Sequence, residues 1–232
     1  MRLLSSPTSN PKVAKNKKKG VLTAPLHLLP YNLSGFQVCP MASKGCAAAC
    51  LNTAGRGGFL DRVQAARLRK TLMYFNDRQN FMIQLIENIK YMERKAEREG
   101  LGCGIRLNAT SDIPWERVMV DGQNLMEMFP NVQFYDYTAI PKRAIAWARG
   151  ELPPNYHLTF SAKEDNDEAV KSVANEKGNI AVVFRDKLPN EYLGLPVING
   201  DEHDYRPIDP VGCIVGLKAK GKAKKDKSGF VK

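Results

Sequence analysis

Beyond Gly102 the chain alternates short apolar or β-branched runs with segments of helical character, a pattern that builds a parallel sheet from βα units. The runs "GIRLN", "VQFYDYT", "HLTFS", "IAVVFR", "LPVIN" and "CIVGLK" read as strands, and "GVLTAPLHLL" upstream reads as an opening one. A helix is predicted from about Leu60 to Phe75. A second carries Met82, Leu85, Ile86, Ile89 and Met92 on one face and ends near Gly100. Further helix starts are read at Pro114 in "IPWERVMV", at Pro141 in "PKRAIAWARG", and in "DNDE" before "AVKSVANEKG". The connections after Arg185 and Asn199 are too short and polar for full helices. About seven mostly parallel strands result, fewer than a closed eightfold barrel needs. The expected fold is α/β, a partial or distorted (β/α) barrel, with a doubly wound open sheet as the competing topology.

In either topology ligands sit beyond the carboxyl ends of the strands, so the polar residues there are the first to inspect. Six successive strand ends are polar. Candidate catalytic or substrate-binding residues are Asn108, Ser111 and Asp112 after the second strand, and Tyr137, Thr138 and Lys142 after the third. Ser161, Arg185, Asn199, Asp201, Asp204 and Lys218 complete the set. Helix capping explains isolated hydroxyls at such positions, Ser111 or Asp112 among them. It does not explain Asn108, Arg185, Asp201 and Lys218 on one rim, which together suggest a pocket for a small anionic substrate. His203 in "GDEHDYR" is a weaker signal, and His27 and His157 read as parts of strands.

"CPMASKGCAAAC" places Cys39, Cys46 and Cys50 in a C-x6-C-x3-C spacing just after the opening strand. No C-x-x-C redox pair is present, and a closed structural zinc site needs a fourth ligand. Cys103 and Cys213 stand at the starts of their strands. In a parallel sheet they lie on the opposite rim, about a strand length of 17 Å or more away, and read as buried small apolar residues. Three thiolates with an open fourth position fit a [4Fe-4S] cluster with one free iron; a catalytic zinc with Asp112 or Asp201 as base, or no metal, are the alternatives.

Composition changes this picture in one respect. The chain of 232 residues carries a formal charge of +11, but residues 1–20 and 218–232 each hold +6, leaving the middle near neutral. The reading is one domain over residues 21–217 between two flexible basic tails, with weak nonspecific nucleic-acid contact through the tails. The 43% apolar content suits a packed core. Neither a secretion signal nor an apolar run of about 20 residues is evident, so no membrane partner is expected.

The cysteine loop "CPMASKGCAAACLNTAG", followed by "RLNATSDIPWE", "YDYTAIPKR", "HLTFS", "VINGDEHDYRPIDP" and "IVGLKAKGKAK", resembles a family of phage-encoded proteins of about this length. The resemblance implies a phage or prophage origin, action in the cytoplasm of an infected or lysogenic bacterial host, and an iron–sulfur site. The chain is more distantly similar to the radical-SAM superfamily, whose three cysteines follow the first strand of a partial barrel and hold a four-iron cluster that binds S-adenosylmethionine. The spacing differs, six and three residues here against three and two there, and "NATSD" replaces the glycine-rich acidic motif expected after the second strand. The resulting expectation is an iron–sulfur enzyme with radical-SAM-like or non-redox, sulfur-transfer chemistry. The alternative is a structural metal module whose tails bind nucleic acid or a host protein.

Overall fold

Strands β1 (Val21–Pro25), β2 (Gly102–Arg106), β3 (Val132–Thr138), β4 (Tyr156–Ser161) and β5 (Ile180–Phe184) lie side by side in chain order, all parallel. The order then skips. β5 pairs with β8 (Ile214–Lys218), β8 with β7 (Leu195–Asn199), and β7 antiparallel with the two-residue β6 (Glu191–Tyr192). This computed structural model describes residues 2–8 and 10–232. The architecture is α/β with an eight-stranded, mostly parallel sheet. Its order runs from β1 at one end to β6 at the other, so it does not close into a barrel. The strand beyond the expected seven is β6, too short to show as an apolar run.

Parallel crossovers are right-handed, so those advancing from β1 to β5 all lie on one face of the sheet. The helices there are α2 (Lys44–Ala48), α3 (Gly55–Phe59), α4 (Asp61–Asn76) and α5 (Arg78–Arg98) between β1 and β2, then α6 (Leu125–Met128), α7 (Pro141–Ala148) and α8 (Asp167–Asn175). The single turn α1 (Pro11–Ala14), before β1, sends Lys12 to Asp204 on the opposite face, which but for that turn is free of α-helix among the described residues. Strand residues alternate faces, and Cys103, Ile105, Phe134 and Leu158 pack against Phe81, Leu85 and Ile89 of α5. Phe160, Ile180, Val182 and Ile214 pack in the same way against Ala144, Val170 and Val173. The step from β7 back to β8 runs the other way, and the same handedness sends residues 200–213 across the opposite face. Tyr205 there packs on Val21 and Tyr135.

Two expectations need correction. The helix expected after Pro114 is a single 3-10 turn, Trp115–Arg117. The β-branched Val118 and Val120 oppose helix, and Asp121 and Gly122, both at positive φ (50° and 83°), close a tight turn between Val120 and Gln123. The terminal segments are not loose tails either. Leu3 and Leu4 are buried, Leu4 bridges Leu26, and Asn16 is fully buried. At the other end Val231 is buried and bridges Val183. Its neighbour Lys232 bonds to Val183 and Arg185, where β4 has parted from β5. Apolar residues among the lysines anchor both segments while the ammonium groups stay in water.

Candidate functional site

The cysteine loop leaves the carboxyl end of β1 and is held from across the rim. Ser43 caps α2 by accepting the Cys46 N–H at 3.1 Å. Glu164, just past β4, accepts from Ser43 Oγ at 2.8 Å and from the Gly45 N–H at 2.7 Å. Lys163 Nζ donates to the Met41 carbonyl at 2.6 Å. A Cβ on Gly45 would stand 2.7 Å from the Glu164 carboxyl carbon, so only glycine admits this clamp. Ser161 was legible as the end of a strand, but the grip of the following Lys163 and Glu164 on a loop about 120 positions away has no local signal.

Cys39, Cys46 and Cys50 are half-buried. The Cys39 sulfur accepts the Tyr31 N–H at 3.4 Å and donates to the Thr110 carbonyl at 3.9 Å; the Cys50 sulfur accepts the Asn52 N–H at 3.5 Å. Burial, with a smaller contribution from the charge of neighbouring cysteines, pushes the Cys39 thiol up to about 12 and the Cys46 thiol up to about 11. Burial raises Cys50 as well, against the Asn52 N–H and the charge of Arg67. Lys163 opposes the rise at Cys46. Among the described residues, no three His, Cys, Asp or Glu side chains converge closely enough to hold a metal ion as they stand. Cys103 and Cys213, both buried, stand at the amino ends of β2 and β8.

The polar strand-end residues divide into three groups. Asn108, Ser111, Asp112 and Thr138 belong to a buried network on the helix-covered face. Asn108 receives Ser111 Oγ at 2.8 Å and gives its N–H to Asp136 at 2.6 Å. Arg143 donates to Asp112 at 2.7 Å, to Thr138 at 3.1 Å, to both oxygens of Glu116 at 2.8 and 2.9 Å, and to Tyr156 Oη at 2.9 Å. Burial raises the Asp112 carboxyl in spite of Arg143. These residues brace the strand ends against α7.

Tyr137 and Asp204 meet on the helix-free face. Asp204 takes both bonds from Arg106 Nη1, at 3.0 and 3.1 Å, and one from Tyr135 Oη at 3.2 Å. Lys12 stands 3.7 Å away, and burial lowers that amine to about 8. Burial opposes the charge of Asp204, but Arg106, Lys12 and Arg206 outweigh it and its carboxyl lies below the usual value. Arg106 stacks over the Tyr137 ring at 4.7 Å.

The third group is spread around the rim. Lys142 is exposed at the start of α7, and Ser161 ends β4 with its carbonyl bonded to Asn166. Arg185 donates to the carbonyls of Lys224 and Asp226 at 3.1 and 2.9 Å, which latches the C-terminal segment. Asn199 accepts the Asp201 N–H at 3.1 Å; Asp201 accepts the Lys218 N–H at 3.0 Å and Lys220 Nζ at 2.6 Å. The pocket expected at this rim therefore gathers neither the first group nor the second. Arg67, Glu116, Asp136 and Glu164 carry roles that residue type alone did not signal.

A groove of about 600 Å³ runs between α2 and the C-terminal segment, with Lys44, Lys222, Lys225 and Lys227 along it. Its position has a topological reason. The crossovers on either side of the β5–β8 boundary go to opposite faces, and such a switch point opens a crevice at the carboxyl ends. Ala49 of the cysteine loop packs there with Ala219, Ala223 and Val231.

Fold and rim define the class: an α/β protein with an open, mostly parallel sheet that carries a cysteine loop at its carboxyl-end rim. The chain belongs to the Gene product 88 family, a phage-type family whose model matches residues 2–232. No curated protein and no solved structure matches it. Among the described residues no helix is long and apolar enough to cross a membrane.

Proposed function

We propose that Cys39, Cys46 and Cys50 ligate a [4Fe-4S] cluster whose fourth iron stays open, and that the protein is an enzyme acting on a small anionic molecule bound there. The observation that carries the reading is the donor set: three soft thiols in one loop at the ligand-binding rim, with the other two cysteines at the opposite ends of their strands. The surroundings fit. Backbone N–H groups of Tyr31 and Asn52 already point at two of the sulfurs, the pattern that stabilises cluster thiolates. Arg67 by Cys50 and Lys163 by Cys46 offset the negative charge a thiolate cluster accumulates. Ligation requires the thiols to deprotonate and close on the metal, and it removes the cost of burying them.

When bound, the cluster would supply a Lewis-acidic or electron-transferring iron. The chain's own part is to hold the loop through Glu164 and Lys163, and to present basic groups at the rim to an anionic substrate. S-adenosylmethionine is one ligand the open iron could take. Zinc is the lesser metal alternative.

The test is anaerobic purification with iron, sulfide and zinc analysis and an optical spectrum. Iron and sulfide are expected in the parent and in Cys103→Ala and Cys213→Ala, and their loss in Cys46→Ala. A colourless, zinc-loaded parent would sink the cluster, and metal loss in Cys213→Ala would sink the three-ligand assignment. Addition of S-adenosylmethionine to the cluster-loaded protein, read as a spectral change, tests that ligand directly.

A further inference from the structure

We infer that the lysine-lined groove beside the cysteine loop is a docking surface for a nucleic-acid strand, held through its phosphodiester backbone. Lys44 comes from α2, and Lys222, Lys225 and Lys227 come from the C-terminal segment; Ala48 and Ala49 form part of the lining between them. Among the described residues none of the four lysines is in an ion pair. One acid, Asp226, shares the lining; its carboxylate accepts Ser228 Oγ at 2.7 Å and the Val231 N–H at 3.1 Å, so four ammonium groups face a single carboxylate.

The occupant follows from the chemistry. Four ammonium groups against one carboxylate along one groove match a polymer with a regularly repeated negative charge. Among the described residues no arginine lines the groove, so it lacks the planar fork that selects carboxylates, whereas lysine meets phosphate as a point charge. Among the described residues no aromatic ring lines it either, so affinity should be independent of sequence.

This surface differs from a generally basic protein in its location. The other lysine cluster, Lys17, Lys18 and Lys19, immediately precedes β1 and so lies at the amino-end rim. Lys17 there is paired with Glu99 at 2.9 Å. The two clusters contribute alike to net charge, and the C-terminal one borders the groove. The inference needs no metal at the cysteines.

The experiment uses the full chain and a fluorescein-labelled oligothymidylate of about 20 nucleotides, with anisotropy read across a salt series. Combined Lys222→Gln, Lys225→Gln and Lys227→Gln should weaken binding at low salt at least about tenfold. The log–log salt slope should shrink by about 2, since each lost single-strand phosphate contact contributes about 0.7. The matched control, Lys17→Gln, Lys18→Gln and Lys19→Gln, removes the same charge and should leave affinity within about twofold. Equal losses in the two variants would reduce the effect to net charge and overturn the surface. So would failure of the parent to bind, or equally tight binding of polyglutamate. Metal content measured on the same samples keeps the outcome separate from that of the cysteine site.

Discussion

Two buried polar networks sit on opposite faces of the same sheet, and they are finished to different degrees. On the helix-covered face all five N–H groups of Arg143 have acceptors, shared among Asp112, Glu116, Thr138 and Tyr156. On the helix-free face the Tyr137 hydroxyl, Arg106 Nε, and Arg206 Nε and Nη1 are buried with no hydrogen-bond partner among the described residues. Arg206 keeps an ion pair with Asp209 at 3.2 Å and bonds to the His203 carbonyl at 2.7 Å. The difference follows from what covers each face. A regular helix offers side chains at fixed spacing to a strand end, whereas residues 200–213 cross the other face as an irregular connection. A satisfied network specifies structure, and an unsatisfied one holds free energy in reserve.

Breaking the finished network should therefore cost most. Arg143→Met leaves Asp112 and Glu116 buried without their cation and should destabilise by about 3–5 kcal/mol in urea unfolding. Arg206→Met should cost less; an equal cost would break the comparison. Two tyrosines give a matched pair. Tyr156 Oη donates to Asp136 at 2.9 Å and accepts from Arg143, so Tyr156→Phe should lose about 1.5–3 kcal/mol.

The same network should show in the pH dependence. Burial pushes the Asp136 carboxyl up to about 7, against the Asn108 N–H and other donors that favour its charge. The unfolded carboxyl titrates near 3.8, so the folded protein holds this proton to higher pH. The resulting stability is whole below about pH 4 and is lost as pH rises through about 7. Asp136→Asn should remove this loss, seen as a flatter stability profile over that window than the parent's. The histidines act in the opposite sense. Burial first, and nearby arginines second, lower His27 and His157 to about 3 and His203 to about 4, so their share of stability is present above about pH 6.5 and fades in acid. For that reason the Asp136 contribution is read as parent minus variant.

The smallest expected effect has the opposite sign. Tyr137→Phe removes a buried hydroxyl that has no hydrogen-bond partner among the described residues and should be neutral or stabilise by about 1 kcal/mol. A loss comparable to that of Tyr156→Phe would mean that the helix-free network is complete after all.

Much of the fold was legible because local rules govern it. β3 and β7 run over the residues that the apolar pattern picked out, and α4 and α5 lie within a few residues of the periodic segments. The connections after Arg185 and Asn199 are indeed without full helices. The helix expected after Pro114 failed because a start signal was not followed by helix-forming residues. The terminal lysines concealed Leu3, Leu4 and Val231, whose burial depends on partners more than 20 positions away or, for Val231, nearly 50.

The candidate site separates along the same line. Its residue types, the placement of Cys39, Cys46 and Cys50 after β1, and the polar character of six strand ends follow from the sequence, because spacing and strand alternation are local. Which polar residues brace α7, which face residues 200–213, and which meet the cysteine loop depended on strand order and crossover handedness. Asp112 and Asp204 illustrate the point: both are carboxylates in loops that follow strand ends, yet they occupy opposite faces of the sheet. The reversal between β5 and β8 sends one connection over the helix-free face, and no residue in either strand announces it.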